Sequence, residues 1–208
     1  MRNAVHSSEI FGFDFIESTA PTIEPITVDE LKDHLRIETN DFDLELASLI
    51  SVARKSLEIE TGLVVFTSTR KMFLDRFPPN SFSRLYLYGT PVQSVSHVKY
   101  YDDSGTQQTW SSSKYNLQEG RPNYLQCVFG ETWPAHRSVQ DKIEIQYVCG
   151  KTTTAAIDER IKQAIKLNCS MQFDGELIVK DEGLRLEKAY QNLIGQLKVG
   201  EDFLVYGG

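Results

Sequence analysis

The segment Cys149-Gly150-Lys151-Thr152 ends in the Gly-Lys-Thr order of a phosphate-binding P-loop. Such a loop also needs a glycine five residues before the glycine of this pair, so that the backbone can curl around a phosphate. Ile145 occupies that position, inside a run typical of a β-strand. The spacing therefore does not fit a P-loop, and the segment is predicted to be a turn that follows a strand.

Two acidic clusters are candidates for calcium binding, namely Asp41-Phe42-Asp43 and Asp102-Asp103-Ser104-Gly105. Neither supplies the alternating oxygen ligands and the central glycine of an EF-hand loop. The first cluster fits the start of a helix, where acidic side chains interact favourably with the helix dipole. The second has the composition of a hairpin turn. We therefore expect no metal ion at either cluster.

Other nucleophiles and metal ligands are scattered along the chain. The four histidines and three cysteines are His6, His34, His97, His136, Cys127, Cys149 and Cys169. They show no HExxH, HxH or CxxC spacing, no GxSxG elbow is present, and the cysteines are predicted to be buried free thiols. A Ser/His/Asp set that only the fold brings together stays an open alternative. Trp110 and Trp133 fit core or turn packing, with an interface anchor as the alternative.

The composition is that of an acidic globular protein, with a net charge of −7. The longest cationic clusters are dipeptides such as Arg54-Lys55. Because phosphate neutralisation supplies most nucleic-acid affinity, specific DNA binding is not expected, although DNA can slide past an acidic surface. No apolar run approaches the ~20 residues that span a bilayer, and the first residues lack the apolar core of a signal peptide. We therefore expect no membrane association and no cofactor, and synthesis in the cytoplasm.

Helical signals begin near residue 26. Thr27 and Glu30 have the spacing of a capping box, which predicts a short helix that ends near Ile37. Asn40 or Asp41 is expected to cap a second, longer helix that runs to about residue 61, before a glycine.

The apolar residues of this second helix repeat at the spacing of one buried stripe: Leu46, Leu49, Ile50, Ala53 and Leu57. Val52 and Ile59 lie off that stripe, which indicates a second contact surface on the same helix.

Between residues 64 and 150 short β-like runs alternate with turn residues. The runs cover roughly residues 65–77, 85–88, 92–101, 106–110, 115–117, 124–129 and 142–148. This spacing predicts a small antiparallel sheet or barrel.

Helical periodicity returns after residue 150. Asp158 is expected to cap a helix over residues 159–173, and a last helix is predicted from about Asp181 to Lys198. Its stripe is predicted to contain Leu186, Ala189, Tyr190, Leu193 and Leu197. The predicted fold class is therefore α+β: a bundle of about four helices, from residues 26–63 and 151–198, with residues 64–150 inserted as a β module.

The two ends of the chain lack this periodicity. Residues 1–25 are predicted to be an extended arm and residues 199–208 a tail. In the arm, Phe11, Phe13 and Phe15 alternate, so an extended strand would place them on one side. Either this strand packs on the chain's own body, or it docks on a neighbouring subunit.

Several segments occur in a recognisable linear order. They are residues 26–37, Asp41 with Asp43, residues 53–62, 74–78, 91–95 and 98–102 with Gly105, then Tyr115, Trp133-Pro134, and residues 143–150 and 161–165. In this order the chain resembles the head–tail connector (adaptor, or head-completion) family of tailed bacteriophages, in its larger form with a β insertion. The resemblance covers roughly residues 26–174, and the segments outside this range match nothing in the pattern.

The resemblance implies a non-enzymatic virion protein in the neck, at the head–tail interface. It implies a ring of usually twelve copies beneath the portal protein, which prolongs the DNA channel and binds the next neck or tail protein. A ring joins two different faces of each copy, so Val52 and Ile59, and the three phenylalanines of the arm, are candidates for contact with a neighbouring copy. Four apolar residues that are costly to leave in water are candidates for portal binding: Phe203, Leu204, Val205 and Tyr206.

Two other functions stay open at this point. One is a different virion interaction module, such as a tail-completion or fibre-associated β protein. The other is an enzyme whose active site is dispersed along the sequence.

Overall fold

The computed structural model describes residues 13–19, 21–80, 84–136, 143–173 and 180–199. Within these residues the chain forms four α-helices and eight β-strands, grouped in two compact units. Residues 21–66 and 151–199 form the helical unit, and residues 67–150 with the first strand form the β unit. The predicted α+β class, with a β module between helical segments, is confirmed.

The helical unit contains α1 (Val28–Leu35), α2 (Asp43–Thr61), α3 (Glu159–Phe173) and α4 (Lys180–Leu197). Helix α3 packs against α2 and α4, and α2 also contacts α4. Apolar residues of all four helices form its core: Leu31, Leu46, Ile50, Ala53, Leu57, Ile161, Ala164, Ile165, Tyr190, Ile194 and Leu197. The stripe predicted for α2 is therefore confirmed, with Leu49 partly buried at its margin.

The capping box of α1 is present as predicted. The Thr27 hydroxyl accepts a hydrogen bond from the Glu30 N–H at 3.1 Å, and the Glu30 carboxylate accepts one from the Thr27 N–H at 2.7 Å. At the other end of the helix pair, Gly62 ends α2 with a φ of 73°, a left-handed conformation that glycine adopts without strain. Local sequence signals therefore define both ends of this segment.

The cap predicted for α2 is wrong. Phe42 occupies the N-cap position, and no side chain caps the helix there. The amide oxygen of Asn40 accepts a hydrogen bond from the buried Lys32 side chain, and Asp43 accepts another from the same ammonium group at 3.0 Å. Lys32 thus binds the Asn40 side chain that was expected to cap the helix, since a buried ammonium group needs acceptors.

In the second half of the helical unit, one prediction is confirmed and one is wrong. Asp158 caps α3, because its carboxylate accepts a hydrogen bond from the Arg160 N–H at 2.9 Å. Ala189 is exposed in α4, however, while Ile194 is buried. The buried stripe of α4 is therefore rotated towards the side where Tyr190 and Ile194 enter the core.

A buried ion network connects α2 to the segments on either side of it. Arg54 is 3% exposed and donates to the Glu24 carboxylate at 2.7 Å and to the Glu58 carboxylate at 3.4 Å. Glu58 also accepts the backbone N–H of Val65 at 2.9 Å. Burial alone would lower the pKa of Arg54, but the hydrogen bonds and negative charges of Glu24 and Glu58 raise it. Arg54 thus stays charged and holds three chain segments together.

The β unit consists of two antiparallel sheets. Its strands are β1 (Phe13–Thr19), β2 (Ser68–Leu74), β3 (Leu85–Tyr86), β4 (Val92–Tyr101), β5 (Gln107–Trp110), β6 (Tyr115–Gln118), β7 (Tyr124–Cys127) and β8 (Ile143–Cys149). The larger sheet has the order β1-β2-β8-β4-β5, and the smaller has the order β3-β7-β6. Side chains of β2 and β8 alternate between buried and half-buried positions, so one face of the larger sheet supplies the core.

Asn123 connects the smaller sheet to the start of β4. Its side-chain oxygen accepts hydrogen bonds from the Thr90 hydroxyl at 2.6 Å and from the Val92 N–H at 2.9 Å. Its backbone oxygen accepts the Leu87 N–H at 2.9 Å. Asn123 and Thr90 are each 4% exposed, so water does not replace these bonds.

We expect Asn123→Ala to destabilise the β unit by about 3 kcal/mol, because it leaves the buried Val92 N–H and Thr90 hydroxyl without an acceptor. Urea unfolding followed by tryptophan fluorescence measures this, since both tryptophans lie in the β unit. The matched control is Asn116→Ala, which changes the same residue type at an exposed position of β6. Equal stability of the two variants would contradict the role assigned to Asn123.

Candidate interaction surfaces

The most exposed apolar surface of the helical unit lies on α2. Leu44 is 90% exposed, Ile59 is 68% exposed and Val52 is 47% exposed. At 3.6 residues per turn, these three residues lie within an arc of about 80°, almost opposite the stripe that enters the core. We call Leu44, Val52 and Ile59 the outer face of α2. It includes both residues that the sequence marks as a second contact surface, and it adds Leu44.

Three other exposed apolar side chains of the described residues are isolated, whereas Phe42 at the start of α2 packs on Phe173 and Leu184 lies on α4. Ile16 is in β1, Ile23 precedes α1, and Phe129 is in the turn after β7. Single exposed apolar residues are common on monomeric proteins. The outer face of α2 differs because its members repeat along one side of one helix.

The predicted N-terminal arm is only partly within the described residues. Phe13 and Phe15 belong to β1, whose backbone pairs with Leu74 and Met72 of β2 in the same chain. This is the pairing expected if the strand packs on the chain's own body. Phe11 lies outside the described residues, and so do the portal-binding candidates Phe203, Leu204, Val205 and Tyr206. Contact of any of these residues with another chain stays a prediction.

Both tryptophans belong to an aromatic cluster in the β unit. The ring of Phe77 stacks on Trp133 at a centroid distance of 5.4 Å, and Trp110 stacks on Tyr115 at 5.1 Å. Trp110 is 5% exposed and Trp133 is 9% exposed. Core packing thus accounts for both tryptophans, which was the first of the two interpretations.

A cavity of about 420 Å³ lies beside this cluster, with Phe77, Trp133 and His136 in its wall. The indole N–H of Trp133 and the Nε2 atom of His136 have no hydrogen-bond partner in the structure, but both atoms are buried. They are therefore not presented to a molecule in the cavity, whose polar wall residues also include Asn80, Asp103 and Thr132.

The acidic turn at Asp102 is closed by its own hydrogen bonds. The Asp102 carboxylate accepts hydrogen bonds from the Ser104 hydroxyl at 2.5 Å, from the Gln108 amide at 2.9 Å and from the Thr106 N–H at 2.9 Å. These hydrogen bonds lower the pKa of Asp102 to about 2. The lone pairs that a cation would need are thus used to fix the hairpin, in agreement with its interpretation as a turn.

A second group of charges crosses the half-buried face of the larger sheet. Glu144 of β8 lies 2.8 Å from the His97 ring of β4 and 3.3 Å from the Lys71 ammonium of β2. Burial alone would raise the pKa of Glu144, but the hydrogen bonds from His97 and Lys71 lower it. Cross-strand pairs of opposite charge stabilise antiparallel sheets, and Glu144 of β8 makes such a pair with Lys71 of the neighbouring strand β2.

The cysteines do not have the environment of nucleophiles. Cys149 and Cys169 are buried, Cys127 is half-buried, and all three are free thiols. Burial raises the pKa of Cys169 to about 12 and also raises the pKa of Cys127. Reactive cysteines have a lowered pKa.

In the described ranges, no cluster of His, Cys, Asp and Glu has the geometry to hold a metal ion, and no helix is both long and apolar enough to cross a bilayer.

Comparison with known proteins identifies the fold. No family model matches the sequence, and no curated protein matches it either. Among solved structures, the chain is similar to one in "Virion of native gene transfer agent (GTA) particle", with 21% identity and a TM-score of 0.68. It is also similar to chains in "Neck of empty GTA particle computed with C6 symmetry" (18% identity, TM-score 0.70) and "Neck of native GTA particle computed with C12 symmetry" (16% identity, TM-score 0.63).

Each of these matches covers 93% of this chain and 98% of the matched chain. Both units of the fold, and not only one of them, are therefore shared along nearly the whole length. At these identities, the likeness establishes that the chain has the fold of a protein found in gene transfer agent particles.

Proposed function

We propose that this chain is a structural, non-enzymatic component of a phage-like particle and acts as a head–tail connector in its neck. The observation that carries this proposal is the likeness of the whole chain to proteins in gene transfer agent virions and necks. The resemblance of residues 26–174 to the connector family, based on the order of sequence segments, points to the same role independently of the fold.

The outer face of α2 supports assembly into a ring. Leu44, Val52 and Ile59 remain in water in the isolated chain, and burial of such side chains in a contact contributes about 1.5–3 kcal/mol each. In a closed ring each copy contacts its neighbours through two different surfaces, and the outer face of α2 is suited to be one of them. Twelve copies agree with the C12 symmetry of one similar neck, and a twelvefold ring also satisfies the C6 symmetry of the other.

The charge of the chain suits a channel for DNA. The net charge of −7 gives little attraction for phosphates, so DNA moves past the ring without being held. In this role the ring continues the channel of the portal protein and presents a surface to the next neck or tail protein. In this role the chain functions through its contacts with other proteins of the virion neck.

Electron microscopy of the chain mixed with its portal protein tests the proposal. We expect a ring of about twelve copies on the portal, on the axis of the channel. Trimers or hexamers that do not bind the portal would instead indicate a tail-tip module and would overturn the connector assignment.

Residues 200–208 are proposed to bind the portal as an extended segment. Phe203, Leu204, Val205 and Tyr206 are four consecutive apolar residues, and glycines on both sides separate them from other elements. Extended peptides of this kind add to exposed sheet edges or apolar grooves of a partner.

Deletion of residues 200–208 is expected to abolish co-sedimentation with the portal while leaving the thermal unfolding of the chain unchanged. A full-length control replaces the four apolar residues with serine and should show the same loss. Undiminished portal binding by either variant would refute this assignment.

A further inference from the structure

Gly195 lies on the exposed side of α4, where the described residues of the chain do not require a glycine. A Cβ atom added at this position would meet nothing within 4 Å outside its own helix. Its backbone is not in the left-handed conformation that favours glycine, unlike that of Gly62. Glycine is the least favourable residue of a helix interior after proline. The absent side chain leaves a notch on this side of α4 in which a side chain of another molecule can pack.

Leu184 shares this side of α4 with Gly195. The two residues are eleven positions apart and therefore lie within about 20° of each other around the helix axis. Leu184 is 54% exposed. The opposite side of α4 enters the core through Tyr190, Ile194 and Leu197. We call Leu184 and Gly195 the outer face of α4.

The net charges beside Leu44 of α2 and Leu184 of α4 are opposite in sign. Asp41 and Glu45 near Leu44 are both acidic, whereas Leu184 lies near the basic Arg185 and Lys188 and one acidic residue, Glu187. All five charged residues are exposed. Opposite charges across an interface fix the register and direction of two helices. Leu44 therefore fits next to Leu184, and this direction brings the Val52–Ile59 half of α2 to Gly195.

We propose that the outer face of α2 in one copy packs on the outer face of α4 in the next copy, with Val52 and Ile59 on either side of the notch at Gly195 and Lys55 between them. This inference rests on the proposed function, because it specifies the contact from which the ring is built. The two faces are different surfaces of one copy, as a head-to-tail contact requires. Because both helices belong to the helical unit, each copy offers both faces.

Disulfide trapping tests the contact in rings assembled on the portal. One variant carries Leu44→Cys and a size-tagged second variant carries Leu184→Cys, both with Cys127→Ser to remove the half-buried thiol. We expect oxidation of mixed rings to join copies of one variant to copies of the other. Gln163→Cys, at an exposed position of α3, replaces Leu44→Cys in the control and should give no product with Leu184→Cys.

Gly195→Leu gives a second measurement. The Cβ atom of this leucine meets no described atom within 4 Å outside its own helix, so the variant should unfold at or above the wild-type temperature and yet fail to form rings. Ala189→Leu adds similar bulk to an exposed position on another side of α4 and should assemble normally.

Two results would overturn the contact: rings in which the mixed variants give no disulfide, and rings that form normally with Gly195→Leu. Disulfides between two copies of the same variant would also overturn it, because they indicate a symmetric pairing. If rings form without the mixed disulfide, only the proposed α2–α4 contact is refuted. If the wild-type chain forms no ring with its portal, both this contact and the proposed connector function are refuted.

Discussion

The double variant Val52→Asp/Ile59→Asp should lose the ring and keep the fold. Both side chains are exposed, at 47% and 68%, and substitutions at such positions usually change stability by less than about 0.5 kcal/mol. Complete burial of such a side chain contributes about 1.5–3 kcal/mol, and these half-exposed residues gain roughly half of it, so the loss of both weakens every subunit contact by roughly 10- to 100-fold. Two buried carboxylates add a further desolvation cost.

Mass photometry of the chain with its portal measures the loss of the ring, and circular dichroism measures the fold. The control is Gln163→Asp/Ala189→Asp, which adds the same two charges at exposed helical positions outside both outer faces. It should assemble like the wild type. Normal rings from the Val52/Ile59 variant would show that the outer face of α2 does not carry the subunit contact.

The second large effect concerns stability. Arg54→Met should destabilise the helical unit by about 3–5 kcal/mol, because it removes one partner of a buried ion pair. The carboxylate of Glu58 would lose the Arg54 cation while its side chain is only 8% exposed. Because Glu58 also accepts the Val65 N–H, it cannot turn away to water without breaking that hydrogen bond.

Chemical unfolding followed by circular dichroism at the helical band measures this effect. Lys55→Met changes the next residue, which is exposed, and should remain within about 0.5 kcal/mol of the wild type. The double variant Arg54→Met/Glu58→Gln should recover part of the loss, since glutamine still accepts the Val65 N–H without a negative charge. A double variant less stable than Arg54→Met would contradict the assigned cause.

Local signals in the sequence predicted most elements correctly. The Thr27–Glu30 capping box, the glycine after α2 and the turn residues around each strand act over a few positions, so they need no knowledge of the tertiary structure. Asn40 failed as a cap because Lys32, eight residues away, binds its side chain. The order of the larger sheet, with β8 between β2 and β4, depends on contacts between distant segments and had no local signal.

The candidate surface was only partly visible in the sequence. Val52 and Ile59 were identified because they depart from the buried stripe, whereas Leu44 was missed. Its spacing of eight residues from Val52 is a helical repeat that would have indicated a shared face. Gly195 was missed although the helix predicted from about Asp181 to Lys198 already passes through it, as α4 does. The sequence did not indicate that the glycine lies on the exposed side of that helix, which the structure shows.

The chain leaves the helical unit for the β segment and returns to it at two residues that lie side by side. Phe66 and Lys151 form a parallel bridge, and the Lys151 N–H donates to the Val65 oxygen at 3.0 Å. The helical unit therefore holds the two ends of the insertion together as neighbours. Because the entropic cost of closing a segment grows only with the logarithm of its length, a longer or shorter β segment changes that cost little. Evolution can thus enlarge, trim or exchange this appendage while the helical scaffold keeps its own geometry.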